Sequence, residues 1–308
     1  MLNRLVSLML PAIPRPIVHR VAGRYIAGDD ADAAIALAGR LGERGFVTTL
    51  DVLGEDTETW DQARAAAETY ADLTRRMAAA GIERNISIKL SQLGLRLDHD
   101  RAFDELRRVL DAAAEGDFFV RIDMEDATVT DDTIELYRRA REVWPRTGTV
   151  LQSRLKRTVR DARELAAEGA DLRLCKGIYL EAPEIAHTEM ASINRSYLES
   201  ARAMLERGAY VGFATHDLPL IEGVERLVAE TGASVRDHEF QALLGVPIRT
   251  ELERLRDAGN RVRLYIPFGE QWYAYSVRRL KENPSMAGAI TRSRSEERRV
   301  GKECATGC

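Results

Sequence analysis

The chain of 308 residues holds only three cysteines: Cys175 inside an apolar run, and Cys304 and Cys308 at the extreme C-terminus. That spacing offers no disulfide framework of the kind secreted domains use, so a reducing, cytoplasmic setting is expected. No apolar run approaches the roughly 20 residues that cross a bilayer. The longest near the N-terminus, "LVSLML" before "PAIPRP", reads as a packed or docking helix, so no transmembrane segment is expected. A basic excess is missing too. With a net charge of −4 the chain lacks the field that gathers phosphate backbones, which argues against a nucleic-acid partner.

Motifs are scarce as well. Gly39, Gly42 and Gly45 precede the first strand candidate, and so cannot form the phosphate-binding turn of a doubly wound sheet. No G-x-S-x-G elbow accompanies the serines. His216 in "FATHD" has no close His or carboxylate partner at ligand spacing, so no metal is expected.

What is present is alternation. From residue 46, short β-branched or aromatic runs take turns with longer amphipathic stretches: "FVTTLD", "ISIKLS", "FFVRID", "GTVLQS", "LRLCKG", "YVGFATH", "DHEFQA" and "VRLYIP". Strands separated by helices call for a parallel sheet. Eight such units favour an α/β fold of the distorted (βα)8, TIM-type barrel kind. The expected division is a helical segment over 1–45, the barrel over 46–292, and an irregular tail over 293–308 that reads as frayed or non-native. Asp131 or Asp132 is the expected cap of the helix after the third strand.

Strand parity sorts the side chains. In "ISIKLS" it sends Ile86, Ile88 and Leu90 to the helices, and Ser87, Lys89 and Ser91 into the barrel. In "RIDME" it sends Ile122 and Met124 out, and Arg121, Asp123 and Glu125 in. Arg173, Arg263 and Tyr265 also point inward. Buried charges need partners, and a Lys89–Asp123 ion pair is the expected one, whether architectural or functional. The inward charges are expected near the C-terminal strand ends, where Gln152, Lys176, Thr215, His216 and Gln241 also fall and where barrel enzymes place their sites. On chemistry alone a Schiff-base aldolase using Lys89 or Lys176 stays open, as does a barrel that merely binds small carboxylates.

The blocks "SIKLSQLGL", "VRIDMED", "VLQS", "RLCKGIY", "FATHD", "EFQALLG" and "YIPFGEQWYAYSVRRLKENP" occur in one order across residues 86–284. In that order they resemble the proline dehydrogenase family, in its short monofunctional bacterial form. The resemblance implies FAD over the strand ends, oxidation of L-proline to Δ1-pyrroline-5-carboxylate by hydride transfer to flavin N5, and electrons passed to a membrane quinone from a peripheral position on the inner face of the cytoplasmic membrane. A separate pyrroline-5-carboxylate dehydrogenase would take the product, since a chain of this length leaves no room for a fused second enzyme.

By resemblance, Lys89, Asp123 and Arg173 are the catalytic set. The substrate site would comprise Lys89, Asp123, Tyr179, Leu243, Tyr265, Tyr275, Arg278, Arg279 and Glu282, with Arg278 and Arg279 clamping the carboxylate. Gln152, Arg173, Lys176, Gly177, Thr215, His216 and Gln241 are similar to the family's FAD-binding residues. Ile178 departs from the pattern, standing where Ala is usual.

Overall fold

A computed structural model describes residues 25–54 and 56–272. The expectations for Tyr275, Arg278, Arg279, Glu282 and the tail lie outside the described residues, as does the helix expected after the last strand.

Helix α1 (Ala31–Glu43) leads into a closed parallel barrel. Its strands are β1 (Val47–Val52), β2 (Asn85–Ile88), β3 (Phe119–Ile122), β4 (Thr147–Gln152), β5 (Asp171–Cys175), β6 (Tyr210–Ala214), β7 (His238–Leu243) and β8 (Val262–Phe268). Between them run α2 (Trp60–Ala80), α3 (His99–Glu115), α4 (Thr130–Val143), α5 (Thr158–Ala167), α6 (Met190–Leu205), α7 (Leu218–Thr231) and α8 (Arg249–Asp257). Each strand pairs with its sequence neighbours, and β1 pairs with β8 from Val47↔Arg263 to Val52↔Phe268, which closes the ring and leaves no open edge. This is the (βα)8, TIM-type fold the alternation called for.

Local sequence explains the element ends. Thr59 and Gln62 form a reciprocal capping box at the start of α2, and Gly81 ends that helix in the left-handed region. Before α4 the expected cap is corrected. Asp126 accepts from the Thr128 amide and caps a short 3-10 turn, while Asp131 and Asp132 sit in the first turn of α4, where their charge suits the helix dipole.

The apolar face of each strand meets the helices. Ile86, Ile88, Ile122, Leu172, Leu174 and Ile266 are all fully buried. The inner face is polar, and its charges form two levels. At the lower level, toward the N-terminal strand ends, Arg263 donates to Glu239 through Nε at 2.6 Å and Nη2 at 3.1 Å, and to the Thr48 carbonyl at 2.7 Å. Arg121 donates to the Asp171 carboxylate at 2.5 Å and to the Thr149 carbonyl at 3.0 Å. Arg121 and Arg263 therefore belong to the barrel floor rather than the C-terminal mouth. Their partners sit early on β5 and β7, and a charge in the interior goes where its counter-charge is.

Candidate active site

The upper level is a second ionic cluster. Lys89 donates to both oxygens of Asp51, at 2.9 and 3.0 Å, and lies 3.9 Å from Asp123. Asp51 is thus the nearer counter-ion, correcting the expected Lys89–Asp123 pair. The cause is local: β2 ends at Ile88, and Ser91 begins a 3-10 turn. Lys89 thus leaves the strand and reaches back across the β1–β2 pair, where Asp51 is in register with Ser87. Parity lapses with the strand. Met124, expected outside, lines the cavity wall, and Glu125 turns away to accept from the Ser91 amide at 2.9 Å. Asp51 was not among the candidates, because a single Asp at a strand end carries no motif.

Asp123 collects the remaining donors. Arg173 Nη1 donates to it at 2.7 Å, Ser87 Oγ at 2.8 Å and Tyr265 OH at 2.9 Å. The Arg173 guanidinium carbon lies 5.3 Å from the Tyr265 ring centroid, a cation–π distance. Two carboxylates thus face two cations at the head of the barrel. Burial pushes the Asp51 carboxyl up from the ordinary carboxylate value, and the Lys89 charge works in the opposite direction.

Above this cluster opens a cavity of ≈ 300 Å³ at the C-terminal strand ends. All the candidate residues within the described chain line it. Lys89, Asp123, Tyr179, Leu243 and Tyr265 come from the expected substrate set; Gln152, Arg173, Lys176, Gly177, Thr215, His216 and Gln241 come from the expected cofactor set. Cys175 and Asp217 also line it, and neither was a candidate. Asp217 is ion-paired with Lys176, whose Nζ also lies 3.6 Å from Met190 Sδ.

Both cavity lysines therefore carry carboxylate partners. No group of three or more His, Cys, Asp or Glu side chains that could hold a metal occurs among the described residues.

Gly177 shapes the wall after β5. Its φ is +87°, and an added Cβ would meet Gln152 Oε1 at 2.7 Å. Gly177→Ala should therefore cost about 1–3 kcal/mol of stability from backbone strain alone. Urea denaturation of the variant reads this directly, and an unchanged midpoint would mean that the turn tolerates a side chain.

The family model described as Proline dehydrogenase matches residues 34–292. The chain belongs to the proline dehydrogenase family. Proline dehydrogenase 2 of Bacillus subtilis is 33% identical over 264 residues, covering 86% of this chain and 87% of that one. Proline dehydrogenase of Deinococcus radiodurans is 34% identical over 284 residues, covering 90% and 91%. Among solved structures, proline utilization A from Bdellovibrio bacteriovorus, inactivated by N-propargylglycine, superposes with a TM-score of 0.78 at 25% identity. That match covers 85% of this chain and 32% of the larger one, so the chain spans about a third of that structure. This proline dehydrogenase family member is an α/β barrel with a polar, charge-paired mouth.

Proposed function

We propose that the protein is an FAD-dependent proline dehydrogenase, oxidising L-proline to Δ1-pyrroline-5-carboxylate. The observation that carries this reading is the convergence of every described candidate residue on one cavity, in a chain of this family. Electrons would pass to a membrane quinone, and the product to a separate pyrroline-5-carboxylate dehydrogenase. Delivery to a quinone is proposed to occur by peripheral contact; no helix among the described residues is long and apolar enough to cross a membrane.

The wall suits FAD on chemical grounds. Arg173 and Lys176 supply cationic donors, and Thr215, His216 and Gln152 supply further polar groups. Those residues would hold the dinucleotide, whose phosphates favour cationic donors. When bound, FAD supplies the hydride acceptor.

The chain's own residues then have definite tasks. Lys89 and Arg173 set a positive edge toward a carboxylate. Asp51 and Asp123 balance that charge, so the site as a whole favours a small molecule carrying both signs. Leu243 and the rings of Tyr179 and Tyr265 offer apolar surface to the proline ring and exclude water from the reacting carbon. Arg278 and Arg279 complete the proposal as a carboxylate clamp, since paired guanidinium forks bind carboxylates more directionally than lysines do.

Purified protein should be yellow, and anaerobic L-proline should bleach its flavin absorbance. A protein that stays colourless after incubation with FAD would end this reading. A borohydride-trapped adduct on Lys89 or Lys176 would favour the aldolase instead.

A further inference from the structure

Gln241 stands on β7 in the cavity wall and is 3% exposed. Its sequence context groups it with the cofactor-binding residues, yet its amide is occupied at both ends by protein. Oε1 accepts from Arg173 Nε at 2.6 Å, and Nε2 donates to Glu239 Oε1 at 2.5 Å. A guanidinium can only donate and a carboxylate can only accept, so this pair of neighbours fixes which way the amide points. A flipped amide would set NH2 against the guanidinium and oxygen against the carboxylate.

Glu239 is itself anchored. It receives two hydrogen bonds from Arg263, a third from Tyr210 OH at 3.0 Å, and an ion pair with Arg261 at 3.1 Å. A continuous polar chain therefore runs from the barrel floor through Glu239 and Gln241 to Arg173, and on to Asp123 at the mouth. The neighbouring strand makes room for it. On β6, a Cβ added to Gly212 would clash with Gln241 Nε2 and lie 2.9 Å from its Cδ.

We infer that Gln241 is a positioning residue that ties the Arg173 guanidinium to the charged barrel floor, rather than a group that holds the cofactor itself. Arg173 has several rotatable bonds, and Asp123 and Ser87 take hydrogen bonds from its Nη1 alone. Gln241 takes Nε, the donor next to the stem, and so sets the direction of the guanidinium plane. The consequence for catalysis rests on the proposed function, in which Arg173 is one of the residues that hold FAD.

The test uses the full chain as purified, with Gln241→Leu, Gly212→Ala and Arg173→Met. First, chemical denaturation of Gln241→Leu, Arg173→Met and the double variant measures whether the two side chains are coupled. The relay predicts that the double variant loses clearly less stability than the sum of the singles, as contacting residues do; additive losses would overturn it, with or without flavin. Second, Gln241→Leu should keep its flavin-to-protein ratio through purification and dilution, while kcat falls by about tenfold or more and the flavin reduction potential shifts, as expected when a charge-assisted hydrogen bond acts on the reacting centre. Gly212→Ala should move kcat and potential the same way, because it displaces the same amide without removing it. Flavin lost from Gln241→Leu, with normal turnover per remaining flavin, would make Gln241 a direct ligand and overturn the inference. A wild-type protein that neither holds flavin nor responds to proline would instead refute the proposed function, leaving the stability coupling to decide the relay alone.

Discussion

Asp51→Ala is expected to lose most turnover and about 3–5 kcal/mol of stability, the range found when one partner of a buried ion pair is removed. Asp51 is fully buried and Lys89 is 8% exposed, so water cannot replace the two hydrogen bonds that the carboxylate accepts. Among the described residues, the other carboxylate beside Lys89 is Asp123, which is 3.9 Å from Nζ and already accepts from Arg173, Ser87 and Tyr265. Lys89 would be drawn toward it, disturbing the donors that Asp123 now orders. Asp51→Asn keeps the shape and one acceptor, and should fold better than the alanine variant while still impairing turnover. Urea denaturation and steady-state kinetics with proline check both. Wild-type stability and turnover in Asp51→Ala would show that the pair has no role in holding the site.

The second large effect is expected in the barrel floor. Burial alone would push Glu239 up, but the charges of Arg263 and Arg261 and the hydrogen bonds from Arg263 and Gln241 prevail and lower its carboxyl to about 2 from the ordinary 4.5. A carboxylate whose folded pKa is depressed stabilises the fold above its unfolded value and loses that contribution as pH falls toward the folded value. The loss should therefore run from about pH 4.5 down to about pH 2, and amounts to about 3 kcal/mol at 1.36 kcal/mol per pKa unit. Glu239→Gln removes the titration. The stability gap between wild type and variant should accordingly narrow from pH 5 to pH 3, and a constant gap over that range would contradict the assignment. Glu239→Ala at pH 7 should be more damaging than Glu239→Gln, because it leaves Arg263 buried without its two-point partner.

Neither residue was a site candidate: Asp51 lies outside the blocks that carry the family resemblance, and Glu239 opens the block "EFQALLG" without an assigned role. Asp51 ends "FVTTLD" and Glu239 sits within "DHEFQA", where either would pass as an ordinary strand-end polar residue. Strand parity was a sound guide as long as the strand lasted. It placed Ser87, Arg121, Asp123, Arg173, Arg263 and Tyr265 on the inner face, as their hydrogen bonds confirm. It failed at Met124 and Glu125, both beyond the end of β3, because period-two alternation is a property of extended backbone and stops where the chain turns.

The sequence by itself determined the number and order of the strands, the apolar faces that meet the helices, and most of the polar side chains that line the mouth, though not Asp217. Those follow from alternation, propensity and short blocks that each lie within a few residues. Only the tertiary structure decided how the inner charges divide into two levels, that Lys89 answers to Asp51 before Asp123, and that Gln241 is held between Arg173 and Glu239. Such pairings join residues 38 and 68 positions apart, and Coulomb and hydrogen-bond partners are chosen by distance in space, which barrel closure and register fix.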